Sequence, residues 1–135
     1  MSFANRERVI ARPVLGQWSA VFDWLRGDIG WRQIECSRTI YLDTRFNLIA
    51  DDTAPGSVDQ APMYVRETLA RALEVGASSV LLAHNHPSRD PSPSDTDVAL
   101  TRRIRDCAAP LGIAVLDHLI FGADKHVSLR AHGLV

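Results

Sequence analysis

The chain has 135 residues, enough for one domain with its own core and too few for two. Its composition, 46% hydrophobic and 23% charged, is typical of a globular protein. With 15 basic and 16 acidic residues the formal net charge is -1, which argues against a protein that depends on excess positive charge to bind nucleic acid.

The sequence carries no feature of a membrane or secreted protein. Its apolar stretches are shorter than a membrane span, and its first residues lack the apolar run of a signal peptide. The two cysteines, Cys36 and Cys107, have no CxxC or disulfide-framework spacing. We therefore expect a cytoplasmic protein with no membrane partner, whose thiols are reduced or form at most one disulfide bridge.

The first half of the chain predicts a helix and a hairpin. Residues 1–15 are polar without a clear period, so a flexible end is expected before a single domain at 16–135. Apolar residues in QWSAVFDWLRGD recur at helical spacing, and Gly27 is expected to end that helix. A strand at 31–42 and a short partner at 48–50 then flank a polar turn.

The second half predicts alternating helices and strands. After a loop at 51–62, a helix is predicted to start at Pro62 and to stop at Gly76. The uninterrupted run SSVLLAH predicts a strand that is covered on both faces. A further helix follows, and its expected buried face is Leu100, Ile104, Cys107 and Leu111. With strands at 113–122 and near the C-terminus, this order predicts an α/β domain with a mixed sheet in two or three layers.

The stretch HNHPSRDPSPSDTD concentrates residues that bind metals. His84 and His86 are two apart on an extended backbone, so both imidazoles point to one side and can reach a single ion. A loop that doubles back would bring Asp97, in the first turn of the next helix, over both histidines. Two neutral histidines and one carboxylate leave a fourth position for water, which is the open arrangement of catalytic zinc.

Each part of this stretch also has a purely structural explanation. Ser94 and Asp97 are spaced as a helix N-cap and its capping partner, and a lone histidine at a strand end is more often structural than a ligand. The complete spacing, His-x-His, seven residues, Ser, two residues, Asp, favours the metal site.

A hydrolytic zinc site also needs a base that moves protons between water and the leaving amine. The four glutamates of the chain are Glu7, Glu35, Glu67 and Glu74. Glu35 is favoured over Glu67, because a charge in an otherwise apolar or neutral strand is costly without a role.

The motif resembles the JAMM motif of the JAB/MPN metalloprotease superfamily, and the stretches ECSRTIYLDTRFNLIADD and LTRRIRDCAAPLGIAVLDHLIFG resemble its RadC-type bacterial branch. The resemblance covers the chain from about residue 16 to the end. It implies a three-layer α/β domain similar to cytidine deaminases, with zinc bound by His84, His86 and Asp97. It further implies that Glu35 is the catalytic glutamate and that Ser94 helps to stabilise the tetrahedral intermediate.

The hypothesis is a zinc-dependent hydrolase of peptide or isopeptide bonds, with an unidentified peptide or protein substrate and one zinc per chain. The alternative is a nucleic-acid-associated or DNA-repair-associated module without proteolytic activity. Asp117 and His118 are expected to form structural hydrogen bonds, with at most one of them facing the site. RadC-type chains usually have glycine after HNHPS, where this chain has Arg89. If that position has a positive φ, arginine costs about 1 kcal/mol there.

Overall fold

The computed structural model describes residues 18–55 and 61–135. In chain order its elements are helix α1 (Trp18–Ile29), strands β1 (Cys36–Leu42) and β2 (Leu48–Pro55), helix α2 (Ala61–Val75), strand β3 (Ser79–Asn85), helix α3 (Asp95–Ala108) with a 3-10 turn (Ala109–Leu111), and strands β4 (Ala114–Gly122) and β5 (Lys125–Ser128). The flexible end predicted for 1–15 and residues 56–60 of the predicted loop lie outside the described residues. No helix in the described part is both long and apolar enough to cross a membrane.

The strands form one mixed sheet in the order β2-β1-β3-β4-β5. The pair β3–β4 is parallel, and the other three pairs are antiparallel. All seven residues of β3 are buried, since this strand is central and both of its faces are covered. Helix α1 covers one face while α2 and α3 cover the other, which confirms the α/β class and makes the number of layers three.

Side-chain alternation along the strands divides the core into two clusters. The α1-side cluster contains Val21, Leu25 and Ile29 of α1 and Ile40, Leu81, Ala83, Leu119 and Phe121 of the sheet. The α2/α3-side cluster contains Val65 and Ala72 of α2, Ile104 and Ala108 of α3, and Tyr41, Val80 and Leu82 of the sheet. By the same alternation, His84 and His86 share the α2/α3 face with Leu82, and Asn85 shares the α1 face with Ala83.

Two predicted boundaries near the N-terminus are wrong. Helix α1 continues through Gly27 to Ile29, because Ile29 is fully buried against the sheet and its contacts outweigh the cost of one glycine. The first strand begins at Cys36 rather than Trp31, since residues 31–34 are exposed and do not pair with the sheet.

Strand β2 is longer than predicted, because its charges have partners. It continues past Ala50 to Pro55, and Asp51 forms an ion pair with the buried Arg38 of β1 at 3.1 Å. Arg38 also pairs with Asp28 of α1, and its guanidinium lies 4.6 Å from the centre of the Trp24 ring. This network attaches α1 to the sheet, and a buried arginine requires such partners.

The predicted buried face of α3 is also wrong in part. Cys107 and Leu111 are exposed, whereas the buried residues of the helix are Asp97, Thr101, Ile104 and Ala108. In the first half of the helix, the buried residues are the polar Asp97 and Thr101, because they contact histidines at the end of β3 and in β4.

Candidate metal centre

The end of β3 and the start of α3 bring three potential ligands together. The Nε2 atoms of His84 and His86 are 3.0 Å apart. The Asp97 carboxylate places Oδ1 3.3 Å from His84 Nε2 and Oδ2 3.1 Å from His86 Nε2. The loop between strand and helix therefore doubles back, as the spacing requires, and the three residues predicted as ligands meet at one point.

The cap of α3 orients the carboxylate. Ser94 is the N-cap, its Oγ accepts a hydrogen bond from the Asp97 amide at 3.0 Å, and Asp97 Oδ2 accepts one from the Ser94 amide at 2.9 Å. The capping bonds aim the carboxylate at the histidines, so the capping role of Asp97 is compatible with the predicted ligand role. Ser94 accepts at its oxygen, so its hydroxyl hydrogen remains available to a further acceptor.

A chain of buried hydrogen bonds determines which nitrogen of His84 carries hydrogen. The Thr101 hydroxyl donates to the Asp97 carbonyl at 2.7 Å, so it accepts from His118 Nδ1 at 2.6 Å. Burial lowers the pKa of His118 well below its usual range, so the ring is neutral and its Nε2 is an acceptor. His84 Nδ1 must then donate to His118 Nε2, at 2.6 Å, which turns the His84 Nε2 lone pair toward His86 and Asp97.

His86 is oriented by a backbone carbonyl. Its Nδ1 lies 2.9 Å from the oxygen of Asp90, and only an N–H can make that bond. The lone pair of a neutral His86 therefore also points into the cluster. The loop itself is held against β4, because the His86 amide donates to the Phe121 carbonyl at 2.8 Å. Gly122 permits this approach, since a Cβ there would lie 2.5 Å from the Arg89 carbonyl oxygen.

The cluster needs a positive charge between its atoms. Two nitrogen lone pairs and a carboxylate facing one another at 3.0–3.3 Å repel unless a proton or a cation lies between them. A hydrogen bond with Asp97, partly opposed by burial, raises the pKa of His86. Burial alone would raise the pKa of Asp97, but hydrogen bonds with His84 and His86, which form when a ring also carries a proton on Nε2, lower it below its usual range. The donor set of two imidazoles and one carboxylate fits Zn²⁺, which shows that a metal could be held here.

Glu35 lies beside this cluster. It precedes β1 in an irregular segment, is half-buried, and has a carboxylate oxygen that lies within 4.8 Å of a ring nitrogen of both His84 and His86. The antiparallel register explains its place: Ser37 is opposite His84, so continuing by two residues sets Glu35 opposite His86. Glu67, the other candidate, is exposed on α2 and does not belong to this group.

Asn85, between the two histidines, holds the segment that carries Glu35. Its side chain is fully buried on the α1 face, where Oδ1 accepts from the Cys36 amide at 2.6 Å. Its Nδ2 donates to the carbonyls of Arg32 and Ile34 at 3.2 and 3.1 Å. One amide group thus fixes the backbone on both sides of Glu35.

Asp117 and His118 point to opposite faces, as expected for strand neighbours. His118 bonds His84 and Thr101, whereas Asp117 accepts bonds from the Ser128 hydroxyl at 2.5 Å and the Arg130 amide at 3.0 Å.

The sequence did not identify Thr101 and Asn85 as residues that support the cluster. Thr101 is one turn after Asp97 on the same helix face, a spacing that could have identified it, but nothing local marks the Asp90 carbonyl or the tether made by Asn85.

A cleft of about 510 Å³ opens beside Glu35. Its walls are Arg32, Gln33, Ile34, Glu35 and Cys36 before and at the start of β1, and Thr53 and Ala54 near the end of β2. This cleft therefore adjoins the cluster through Glu35.

These features define the class of protein: a three-layer α/β domain with a cluster of metal-ligand side chains at the end of its central strand. The family model for the RadC-like JAB domain matches residues 15–134. The chain is 46% identical over 131 residues to a "UPF0758 protein" of Rhodobacter capsulatus, and 45% identical over 129 residues to one of Ruegeria pomeroyi. It belongs to the RadC-like JAB domain family.

The alignments cover 96% and 95% of this chain but only 61% and 58% of those two relatives. The chain thus spans about three fifths of the length of the curated relatives it matches. The names of these relatives specify no reaction.

Proposed function

We propose that the domain is a zinc-dependent hydrolase of peptide or isopeptide bonds. The observation that carries this proposal is the convergence of two oriented histidine lone pairs and a capped carboxylate beside a tethered glutamate. His84, His86 and Asp97 would hold the ion, and a Glu35 carboxylate oxygen lies within 4.8 Å of a ring nitrogen of each histidine.

When bound, zinc would polarise the scissile carbonyl and lower the pKa of water toward neutrality. Residues of the chain would supply the proton acceptor, the hydrogen-bond donor and the groups that orient the ligands. The Glu35 carboxylate would accept a proton from the attacking water and deliver it to the leaving amine. The free hydroxyl hydrogen of Ser94 would donate to the oxygen on which negative charge develops. His118 and Asp90 would keep the ligand rings in the tautomers that the metal requires.

The first test is the metal content of the purified chain. We expect about one zinc per chain, lost in His86→Ala and in Asp97→Ala while the fold persists. His132→Ala is the matched control, because His132 is an exposed histidine whose ring bonds only the Ser128 carbonyl. Failure of the wild-type chain to bind added zinc would overturn the proposal.

The second test separates the base from the ligands. Glu35→Gln should abolish hydrolysis of a peptide library, followed by mass spectrometry, while zinc content stays at the wild-type level. Glutamine keeps the size of the side chain and loses only the proton acceptor. Loss of zinc in this variant would instead make Glu35 a metal ligand, a role that its distance from both histidines also permits.

A further inference from the structure

The segment that leads to Glu35 carries exposed apolar side chains. Within the described residues the strongly exposed large hydrophobics are Trp31, Ile34, Leu73 and Leu111, with 55%, 77%, 56% and 46% of their surface accessible. Two of these four, Trp31 and Ile34, lie in the short segment that leads to Glu35, and Ile34 lines the cleft. Large apolar side chains that remain in water at a site rim are typical of surfaces that bind a chain.

Arg89 lies in the loop that follows β3. It follows His86 by three residues, and its amide donates to the His86 carbonyl at 2.9 Å. Its φ of 72° lies in the left-handed region, where a side chain is strained and where the RadC-type pattern has glycine. Strained backbone positions are concentrated at functional sites, so a functional contribution of the arginine side chain would explain why this strain is tolerated.

The arginine side chain contacts an aromatic ring. The Arg89 guanidinium carbon lies 5.1 Å from the centre of the Trp31 ring, so the pair joins the loop of His86 to the segment of Glu35. A guanidinium that contacts an aromatic ring can still use its N–H groups to form a bidentate bond with a carboxylate. Arg89 is exposed, and within the described residues no carboxylate lies within ion-pair distance of it.

We propose that Arg89, supported by Trp31, binds a carboxylate of the peptide substrate, so that the domain selects peptides with a negative charge close to the scissile bond. This inference rests on the proposed function. The carboxylate would form two N–H···O bonds with the guanidinium edge while apolar substrate groups contact Trp31 and Ile34. The carboxylate could belong to an acidic side chain or to a peptide C-terminus.

The test measures binding separately from hydrolysis. Peptides that the chain cleaves, or an unselected peptide library if none is cleaved, are bound to the zinc-loaded Glu35→Gln variant. Each is compared in three forms: with Asp or Glu, with Asn or Gln in their place, and with an amidated C-terminus. We expect the acidic form to bind at least about tenfold more tightly than its amide counterpart, with a difference that shrinks as salt is added. The amidated peptides show which carboxylate is recognised.

Arg89→Gly should abolish this preference without lowering the melting temperature, because glycine adopts the left-handed backbone without strain. Arg89→Glu should reverse the preference toward lysine-containing peptides, and Arg89→Lys should keep part of it. Arg103→Glu is the matched control, since Arg103 is an exposed arginine on the outer side of α3.

The outcomes separate this inference from the proposed function. Selection that depends on Arg89 in a chain that cleaves no peptide would support the subsite and count against the hydrolase. Cleavage with an unchanged acid-to-amide ratio in the Arg89 variants would overturn the subsite and leave the hydrolase intact. Absence of binding to every peptide would also overturn the subsite.

Discussion

Replacing Thr101 with valine tests whether a hydroxyl outside the ligand set controls metal binding. Valine has nearly the same shape, so the main change is the loss of the bonds to the Asp97 carbonyl and to His118 Nδ1, at 2.7 and 2.6 Å. His118 then has no acceptor at Nδ1, and its neutral ring gains by moving the hydrogen to Nε2. His84 would receive that bond at Nδ1 and carry its own hydrogen on Nε2, where the metal has to bind.

The size of the effect follows from the cost of restoring the correct tautomers. Zinc binding would require the buried Nδ1–H of His118 to stay without a partner, and an unpaired buried donor costs about 1–3 kcal/mol. Since about 1.4 kcal/mol is a factor of ten, the zinc dissociation constant should rise roughly 5- to 150-fold. Removing the hydrogen-bond partner of a metal-bound histidine typically weakens metal binding by a comparable factor of about 10 to 100.

The assay is a competition titration with a chromophoric zinc chelator, together with thermal unfolding of the metal-free chain. Thr101→Ser should bind zinc like the wild type, because it keeps the hydroxyl. Thr68→Val removes another buried helical hydroxyl, one that bonds Tyr64 in α2, and should change stability without changing zinc affinity. Wild-type zinc affinity in Thr101→Val would refute the tautomer reasoning.

Two further predictions concern the tether of Glu35 and the protonation of the cluster. Asn85→Ala removes three hydrogen bonds to residues 32–36, so we expect faster hydrogen exchange in that segment and slower hydrolysis while zinc content persists. Unchanged exchange there would contradict the tether. The raised pKa of His86 stabilises the metal-free fold at low pH, and this contribution is lost as pH rises through the raised value. Zinc has to displace that proton, so the gain in melting temperature on adding zinc should increase from about pH 5.5 to about pH 8.5. A gain that does not depend on pH would show that His86 binds zinc without losing a proton.

Local patterns in the sequence were sufficient for the class of fold and for the candidate ligands. The uninterrupted apolar run before His84 predicted a strand covered on both faces, and β3 is entirely buried. Alternation along a strand placed His84 and His86 on one side, and the capping spacing of Ser94 and Asp97 placed a carboxylate at a helix start. Such features depend on neighbours within a few residues, where backbone geometry alone determines direction.

Only the tertiary structure determined which residues surround the cluster. Glu35 reaches it through the register between β1 and β3, across 49 residues from His84, and Arg89 meets Trp31 across two loops. The relay from Thr101 through His118 joins α3, β4 and β3, and the Asp90 carbonyl acts through its backbone, which carries no sequence signal. Strand register and loop path are set by the packing of the whole core, so periodicity within any one segment cannot specify them.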